Sequence, residues 1–389
     1  MMKARLWLLV VMVAGALTLH SWGQAPVITR FQPGGQLSWS NRPDGVVEYR
    51  VQGADSLAPA VWTNEQVGIV STGSMMSVLV PVAPSNRFYR LTAVTNLNVT
   101  SDSYLVVDLS GGPSASSYPV SYLSTVPDGG WTDEYKTTNM VFRRIPAGTF
   151  TMGSPTNELG RESAWGDETH HQVTLMQPFY VGVFEVTQRQ WERVMGTWPG
   201  YFNNVSYRDA RPVERVSYNM IRGGNAGTNW PANANVDADS FMGRLRARTG
   251  KTFDLPTESQ WEYAGRAGTT TALNSGKNLT NVETCPNMFD VGRYWYNGGS
   301  GYSLNGDTSG GTAKAGTYLP NAWGLYDIHG NVWEWCLDWY PGYEGSYRVF
   351  RGGSWNYGAS YCRVAHRGAT SAGDAYDIMG FRAAMPSGQ

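Results

Sequence analysis

The sequence predicts an α+β chain of irregular, loop-rich architecture preceded by a small all-β module, and three observations carry that prediction. With 46 Gly and 20 Pro in 389 residues, much of the backbone is expected in turns and loops. Thr187-Gln-Arg-Gln190 and Thr257-Glu-Ser-Gln260 both match a capping box, in which the Thr oxygen and the Gln side chain satisfy free amides at a helix start. Residues 27–94 show short alternating runs between Pro and Gly turns instead, the pattern of strands. The 16 Trp, 22 Tyr and 12 Phe supply a core despite a negative mean hydropathy.

Lys3 and Arg5 precede the apolar run of residues 6–19, which is short for a bilayer span and leads into the small-residue pattern Ser21-Trp-Gly23. Residues 1–23 are therefore expected to be a secretory signal peptide. Cleavage after Gly23 is preferred, because a cut after Ala25 would set Pro26 beside the scissile bond. No Cys follows the apolar run, which argues against a lipoprotein anchor. The expected mature chain has no transmembrane segment and is secreted or periplasmic.

Residues 24–97 form the β module, with runs at Gln36-Leu-Ser-Trp39, Val47-Glu-Tyr-Arg-Val51, Met76-Ser-Val-Leu-Val-Pro81 and Arg87-Phe-Tyr-Arg-Leu91. Trp39, Tyr49, Trp62 and Phe88 are expected to fill a sandwich-like core. Residues 98–103 are a polar linker. Tyr104-Leu-Val-Val-Asp-Leu109 reads as the first strand of the main domain, residues 104–386. Helices are expected at the two capping boxes, with a third over residues 237–248, where Phe241, Met242 and Leu245 make an apolar stripe and Gly250 gives the stop. The charged segment 158–168 reads as a solvated loop.

A formal net charge of −1 and the absence of a long basic run exclude an electrostatic footprint for nucleic acid. Export permits disulfides, yet Cys285, Cys336 and Cys362 allow at most one intrachain pair. The fold does not rest on a disulfide framework.

Ordered blocks run through the C-terminal two thirds: Arg144-Ile-Pro-Ala-Gly-Thr-Phe-Thr-Met-Gly-Ser154, Pro178-Phe-Tyr-Val-Gly-Val-Phe-Glu-Val-Thr-Gln188, Pro212-Val-Glu-Arg-Val-Ser217 and Leu255-Pro-Thr-Glu-Ser-Gln-Trp-Glu-Tyr-Ala264. They continue with Asn321-Ala-Trp-Gly-Leu-Tyr-Asp-Ile-His-Gly-Asn-Val-Trp-Glu-Trp335, Arg351-Gly-Gly-Ser-Trp355, Cys362-Arg-Val-Ala-His-Arg367 and Gly380-Phe-Arg382. This series resembles the formylglycine-generating enzyme family, also called the sulfatase-modifying-factor domain, and implies its irregular C-type-lectin-like fold. The family holds copper oxidases, iron-dependent sulfoxide synthases and ligand-binding proteins, so function depends on which site residues this chain keeps.

The oxidase members hold Cu(I) between two cysteines separated by four residues after the Gly-Gly-Ser turn, and soft paired thiolates suit that ion. Counted forward from Ser354, Cys362 falls on the second cysteine and Tyr357 on the first. Anchored instead on Arg367 and Gly380-Phe-Arg382, Cys362 lies beyond the pair. In either register the copper site is incomplete, and Cys362 is catalytic only if the chain is an oxidase. A disulfide between Cys336 and Cys362 is the other role open to it, beside a buried free thiol. His170, His171, His329 and His366 lack the spacing that the family's iron branch would need.

Resemblance implies a structural calcium at Asp327, Gly330, Val332 and Glu334, where hard oxygen donors surround a Gly-permitted turn. The alternative is that Asp327 and Glu334 cap turns or pair with Arg. Arg351, Arg363, Arg367 and Arg382 are expected in buried pairs with acids such as Glu334 and Glu262. The preferred functional expectation is a ligand-binding module for a protein or glycan, with Trp355, Asn356, Tyr357, Ser360, Tyr361 and His366 as contacts, because aromatic and small polar residues make adaptable surfaces. The alternative is a formylglycine-generating oxidase that uses oxygen and copper on a sulfatase cysteine.

Overall fold

The computed structural model describes residues 102–387 apart from 163–167, 225–235 and 299–309, and the backbone of seven strands between Ile28 and Thr95. Those strands pair into a four-stranded sheet, Ile28–Phe31, Gln36–Ser40, Met75–Leu79 and Ile69–Thr72, and a three-stranded one, Thr63–Asn64, Val46–Ala54 and Phe88–Thr95. The signal peptide, most of the linker, and the sandwich core of Trp39, Tyr49, Trp62 and Phe88 lie outside the described residues and side chains. The chain separates into two compact units, residues 1–100 with 124–126, and residues 101–123 with 127–389.

The second unit is mixed α+β. Its five-stranded antiparallel sheet runs in the order Ala384–Pro386, Phe179–Gly182, Asn139–Ile145, Tyr104–Asp108, Val120–Leu123. The C-terminal strand thus pairs with one laid down some two hundred residues earlier, in register Tyr180 to Met385. A second sheet orders Arg367–Ser371, Tyr347–Arg351, Trp333–Trp339 and Met379–Gly380, the last parallel to its neighbour.

Among the described residues four short α-helices lie between the strands. Helices α1 (Gln188–Met195) and α4 (Glu258–Arg266) start at complete capping boxes on Thr187 and Thr257, as their sequences demand. Helix α2 (Tyr218–Arg222), not anticipated, is capped by Ser217. Helix α3 (Phe241–Thr249) begins four residues later than expected, because Ser240 accepts from the Gly243 amide and takes the cap position. Gly250 ends it in the left-handed conformation, as expected. Among the described residues no helix is long and apolar enough to cross a membrane.

Core packing is aromatic. One cluster joins Trp191, Phe241, Trp335 and Phe381; a second joins Trp261, Leu325, Cys336 and Val364; a third joins Leu273, Cys285, Met288, Tyr294, Ala359 and Cys362. Flat rings meeting at edges close the gaps that a loop-built interior leaves between its few helices. Trp191 stacks on Phe241 at 5.3 Å and meets Phe381 edge-on at 6.2 Å.

Candidate functional site

The site grows from the turn after the strand Tyr347–Arg351. Gly352 and Gly353 both adopt positive φ, and a Cβ on Gly353 would stand 2.6 Å from Cys362 Sγ and 2.8 Å from its Cα. Only glycine permits that approach. Residues 355–361 then lie against segment 282–297: the amides of Ala359 and Ser360 donate to Glu283 and Val282 oxygens at 3.1 and 2.8 Å, and the Trp295 amide donates to Tyr357 O at 3.0 Å.

Cys362 is fully buried, and burial pushes its thiol up to about 12. Its Sγ lies 3.9 Å from Ser354 O. Tyr357, at the forward-counted position of the first copper cysteine, is half-buried, with its ring 4.9 Å from Tyr361 and 5.6 Å from Trp333. The disulfide considered between Cys336 and Cys362 is not formed. Both are free, buried thiols, Cys336 packed with Trp261 and Val364 in one apolar cluster and Cys362 with Cys285 and Ala359 in another. Cys336 is likewise raised far above an ordinary thiol by burial. At Cys285 burial acts in the same direction, but hydrogen bonds from Thr280, Asn287 and Asn281 outweigh it and lower the thiol.

The six expected contacts divide. Asn356 and Tyr361 are exposed, whereas Tyr357 and Ser360 are half-buried, Tyr357 packed against the core beside Trp333. Trp355 does not reach the surface. Its ring is fully buried, meets Phe202 edge-on at 5.2 Å and donates from Nε1 to Asp377 O at 3.0 Å. His366 is also buried, between the rings of Tyr361 at 5.1 Å and Trp333 at 5.7 Å. Burial, and next the Arg363 charge, lower it to about 3 against the pull of Glu168, so the imidazole is neutral at physiological pH. Tyr296, which sequence reasoning missed, extends the outward surface and donates to Glu283 Oε2 at 3.2 Å.

Of the segment 158–168, expected to be a solvated loop, residues 163–167 lie outside the described residues, and Glu158 and Glu168 at its ends are paired. Arg363 donates to Glu158 Oε1 at 2.6 Å and grips both oxygens of Glu168, which also accepts from Ser154 Oγ at 2.6 Å. Burial by itself would raise Glu168, but the Arg363 hydrogen bonds and charge bring it down to about 2. The expected need of Arg363 for an acid was legible, but the acid, 195 residues away in sequence, was not. The other expected pairs form as Arg351 with Glu262, Arg382 with both oxygens of Glu334, and Arg367 with Glu258.

At the expected calcium loop, Asp327 is buried in left-handed backbone; its Oδ2 accepts from the Gly316 amide at 2.6 Å, while Oδ1 has no partner. A Cβ on Gly330 would stand 1.8 Å from Arg293 O, so the turn requires glycine. Glu334 also accepts from Trp261 Nε1 at 2.6 Å. Close by is Glu185, missed in the sequence, which burial and then the charges of Asp327 and Glu334 raise well above an ordinary carboxylate. An orphaned buried carboxylate oxygen among three acids, with Arg382 committed to Glu334, fits a hard cation. Among the described residues no three His, Cys, Asp or Glu side chains gather as a metal-ligand group; two carboxylates with two carbonyls make a smaller set.

The family model for the sulfatase-modifying factor enzyme 1-like domain matches residues 131–386. The chain is 31% identical over 235 residues to the chaperone protein LppX of Paenibacillus barcinonensis, covering 53% of this chain and 78% of that protein. It is 34% identical over 285 residues to the formylglycine-generating enzyme of Thermomonospora curvata, covering 62% and 91%. It is 27% identical over 289 residues to the inactive C-alpha-formylglycine-generating enzyme 2 of Bos taurus, covering 65% and 90%. With two thirds of its length matched from the first family block to the last, the chain belongs to the sulfatase-modifying factor enzyme 1-like domain family.

Proposed function

We propose that this chain is an exported binding member of its family, which holds a polypeptide ligand against Asn356, Tyr357, Ser360 and Tyr361. The observation that carries the reading is the state of the loop's thiol: Cys362 is buried and protonated, and a tyrosine stands at the forward-counted place of its partner. A single buried thiol, with a tyrosine in the place of its partner, offers Cu(I) one soft ligand where a stable site needs two. The loop surface is aromatic and small-polar, suited to adaptable contacts. A relative named as a chaperone supports a protein in preference to a glycan as ligand. A structural calcium at Asp327, Gly330, Val332 and Glu334 belongs to the same proposal.

The test pairs two assays on the purified chain. Capture of unfolded polypeptides on a peptide array, weakened by Tyr361→Ala, is expected. Cu(I) retention that depends on Cys362, with oxygen-dependent conversion of a cysteine peptide, would overturn the proposal. That second reading, a formylglycine-generating oxidase, draws on the identity to the Thermomonospora curvata enzyme.

A further inference from the structure

We infer that Arg215 is a carboxylate-binding anchor of the recognition surface, so that the polypeptide held there carries an acidic group beside the stretch that meets Asn356. This rests on the binding function proposed above and names the chemistry of its ligand.

The backbone singles Arg215 out. Val213, Glu214 and Val216 are fully buried, whereas Arg215 between them is exposed. It reaches this outward position at a φ of 59°, in the left-handed region. A long side chain is uncommon there, where Gly, Asn or Asp fits with less strain. The chain around it is firmly held: the Val213 amide donates to Val186 O at 2.8 Å, the Val216 carbonyl accepts Trp335 Nε1 at 3.0 Å, and the Arg215 amide donates to Tyr376 O at 3.0 Å. Strain kept at an exposed, charged side chain is the signature of a role beyond packing.

Charge supplies the second indication. Among the described residues the Arg215 guanidinium forms no ion pair and no hydrogen bond. Arg351, Arg363, Arg367 and Arg382, by contrast, each hold a carboxylate. The acid next to Arg215 in the chain is committed elsewhere: Glu214 accepts the Tyr201 amide on Oε2 at 2.8 Å and the Phe202 amide on Oε1 at 2.9 Å, and burial raises it to about 7. Asp377 acts on Glu214 as a charge but makes no ion pair with Arg215. The guanidinium lies instead over the Tyr201 ring at 4.7 Å. That contact covers a face of the planar group and leaves its N–H fork to take a carboxylate in two parallel bonds.

Position ties the cation to the recognition loop. Tyr201 meets Phe202 edge-on at 5.3 Å, Phe202 meets Trp355 at 5.2 Å, and Trp355 Nε1 donates to Asp377 O at 3.0 Å. Tyr376, whose carbonyl holds the Arg215 amide, is exposed. Arg215 and Tyr376 thus stand at the end of the loop where Asn356 emerges, a cation among aromatic and amide side chains that complements an acidic polypeptide and disfavours a basic one.

The experiment presents the full chain with an array of peptides made in three matched forms: with glutamate and an amidated C-terminus, with glutamine in its place, and with glutamine and a free C-terminal carboxylate. The best binder is then measured in solution by fluorescence anisotropy. The parent should bind a carboxylate form about tenfold more tightly than the neutral form, less so as sodium chloride is raised; which carboxylate form gains tells a side-chain acid from a chain terminus. Arg215→Asn, which suits left-handed backbone, and Arg215→Gln, which keeps a stem over Tyr201, should both lose the preference. Arg215→Asn should do so with an unfolding midpoint no lower than the parent's, which separates lost binding from lost fold. Lys314→Gln, at an exposed cation already paired with Asp133, should keep the preference. If the parent captures no peptide, the proposed binding function falls and this assignment with it. If it captures peptides without preferring a carboxylate, or if either Arg215 variant keeps the preference, the Arg215 assignment falls while the binding function stands.

Discussion

Arg363 and Glu168 form a bidentate pair with no exposure on either side chain, Nη2 reaching Oε1 at 2.7 Å and Nη1 reaching Oε2 at 2.8 Å. The pair ties the loop behind Ser154 to the family's Cys-Arg block directly under Tyr361 and His366. Without Glu168 the buried Arg363 guanidinium keeps Glu158 Oε1 as an acidic partner at 2.6 Å, so Glu168→Gln should cost about 2–3 kcal/mol, below the loss of a fully unpaired buried charge. Denaturant unfolding, compared with the parent, measures this; a change below about 1 kcal/mol, the value of a surface pair, would refute it.

Acid should weaken the same pair. Glu168 is held near 2, below its ordinary 4.5. A depressed carboxylate contributes stability that is complete above its unfolded value and is lost as pH falls from about 4.5 toward 2. The contribution is about 3 kcal/mol. It should appear as the difference between the parent and Glu168→Gln across that window.

His366 and His329 act on stability higher on the pH scale. Burial lowers them to about 3 and about 4 from an ordinary 6.5. Between those values the unfolded chain binds more protons than the folded one, so stability falls as pH drops below 6.5. The slope is about 1.4 kcal/mol per pH unit for each histidine. His366→Gln should flatten the parent's curve between pH 6 and about 4; an unchanged curve would show that the imidazole is not buried neutral.

Trp355 and Tyr361 should separate packing from recognition. Trp355→Ala removes a fully buried ring and should cost about 3–5 kcal/mol, contrary to the sequence-based expectation that Trp355 is a contact. Tyr361→Ala, on an exposed side chain, should leave the unfolding midpoint nearly unchanged and reduce polypeptide capture. The opposite pattern in paired melting and capture assays would reverse the two roles.

Gly353→Ala and Gly342→Ala test the close approach to Cys362. Both glycines have positive φ, but only at Gly353 would a Cβ meet other atoms, at 2.6 to 2.9 Å. Gly342→Ala should cost about 1 kcal/mol for its left-handed backbone, and Gly353→Ala a further 1–3 kcal/mol or so from crowding against Cys362. Equal costs in chemical denaturation would mean that the turn tolerates the methyl.

By itself the sequence determined what is local. Thr187 and Gln190, or Thr257 and Gln260, lie three residues apart, so a capping box is complete within one turn of chain. Gly250 ends its helix for the same reason, and ordered blocks from Arg144 to Arg382 named the family. Ser240, one residue before α3, displaced its expected start because two adjacent turn formers compete and only the packed helix selects one. Tertiary structure alone decided which expected contacts face outward, since a loop of mixed aromatic and polar residues has no periodicity to divide Trp355 from Tyr361. It also decided that Cys336 and Cys362 stay apart, that Glu168 meets Arg363 and that Glu185 stands beside Asp327. Glu185 and Asn331 are 146 residues apart in sequence, and no local rule specifies a partner at that distance. A buried charge declares that it needs a counter-charge, whereas which one it finds is set by how the sheets and loops close around it.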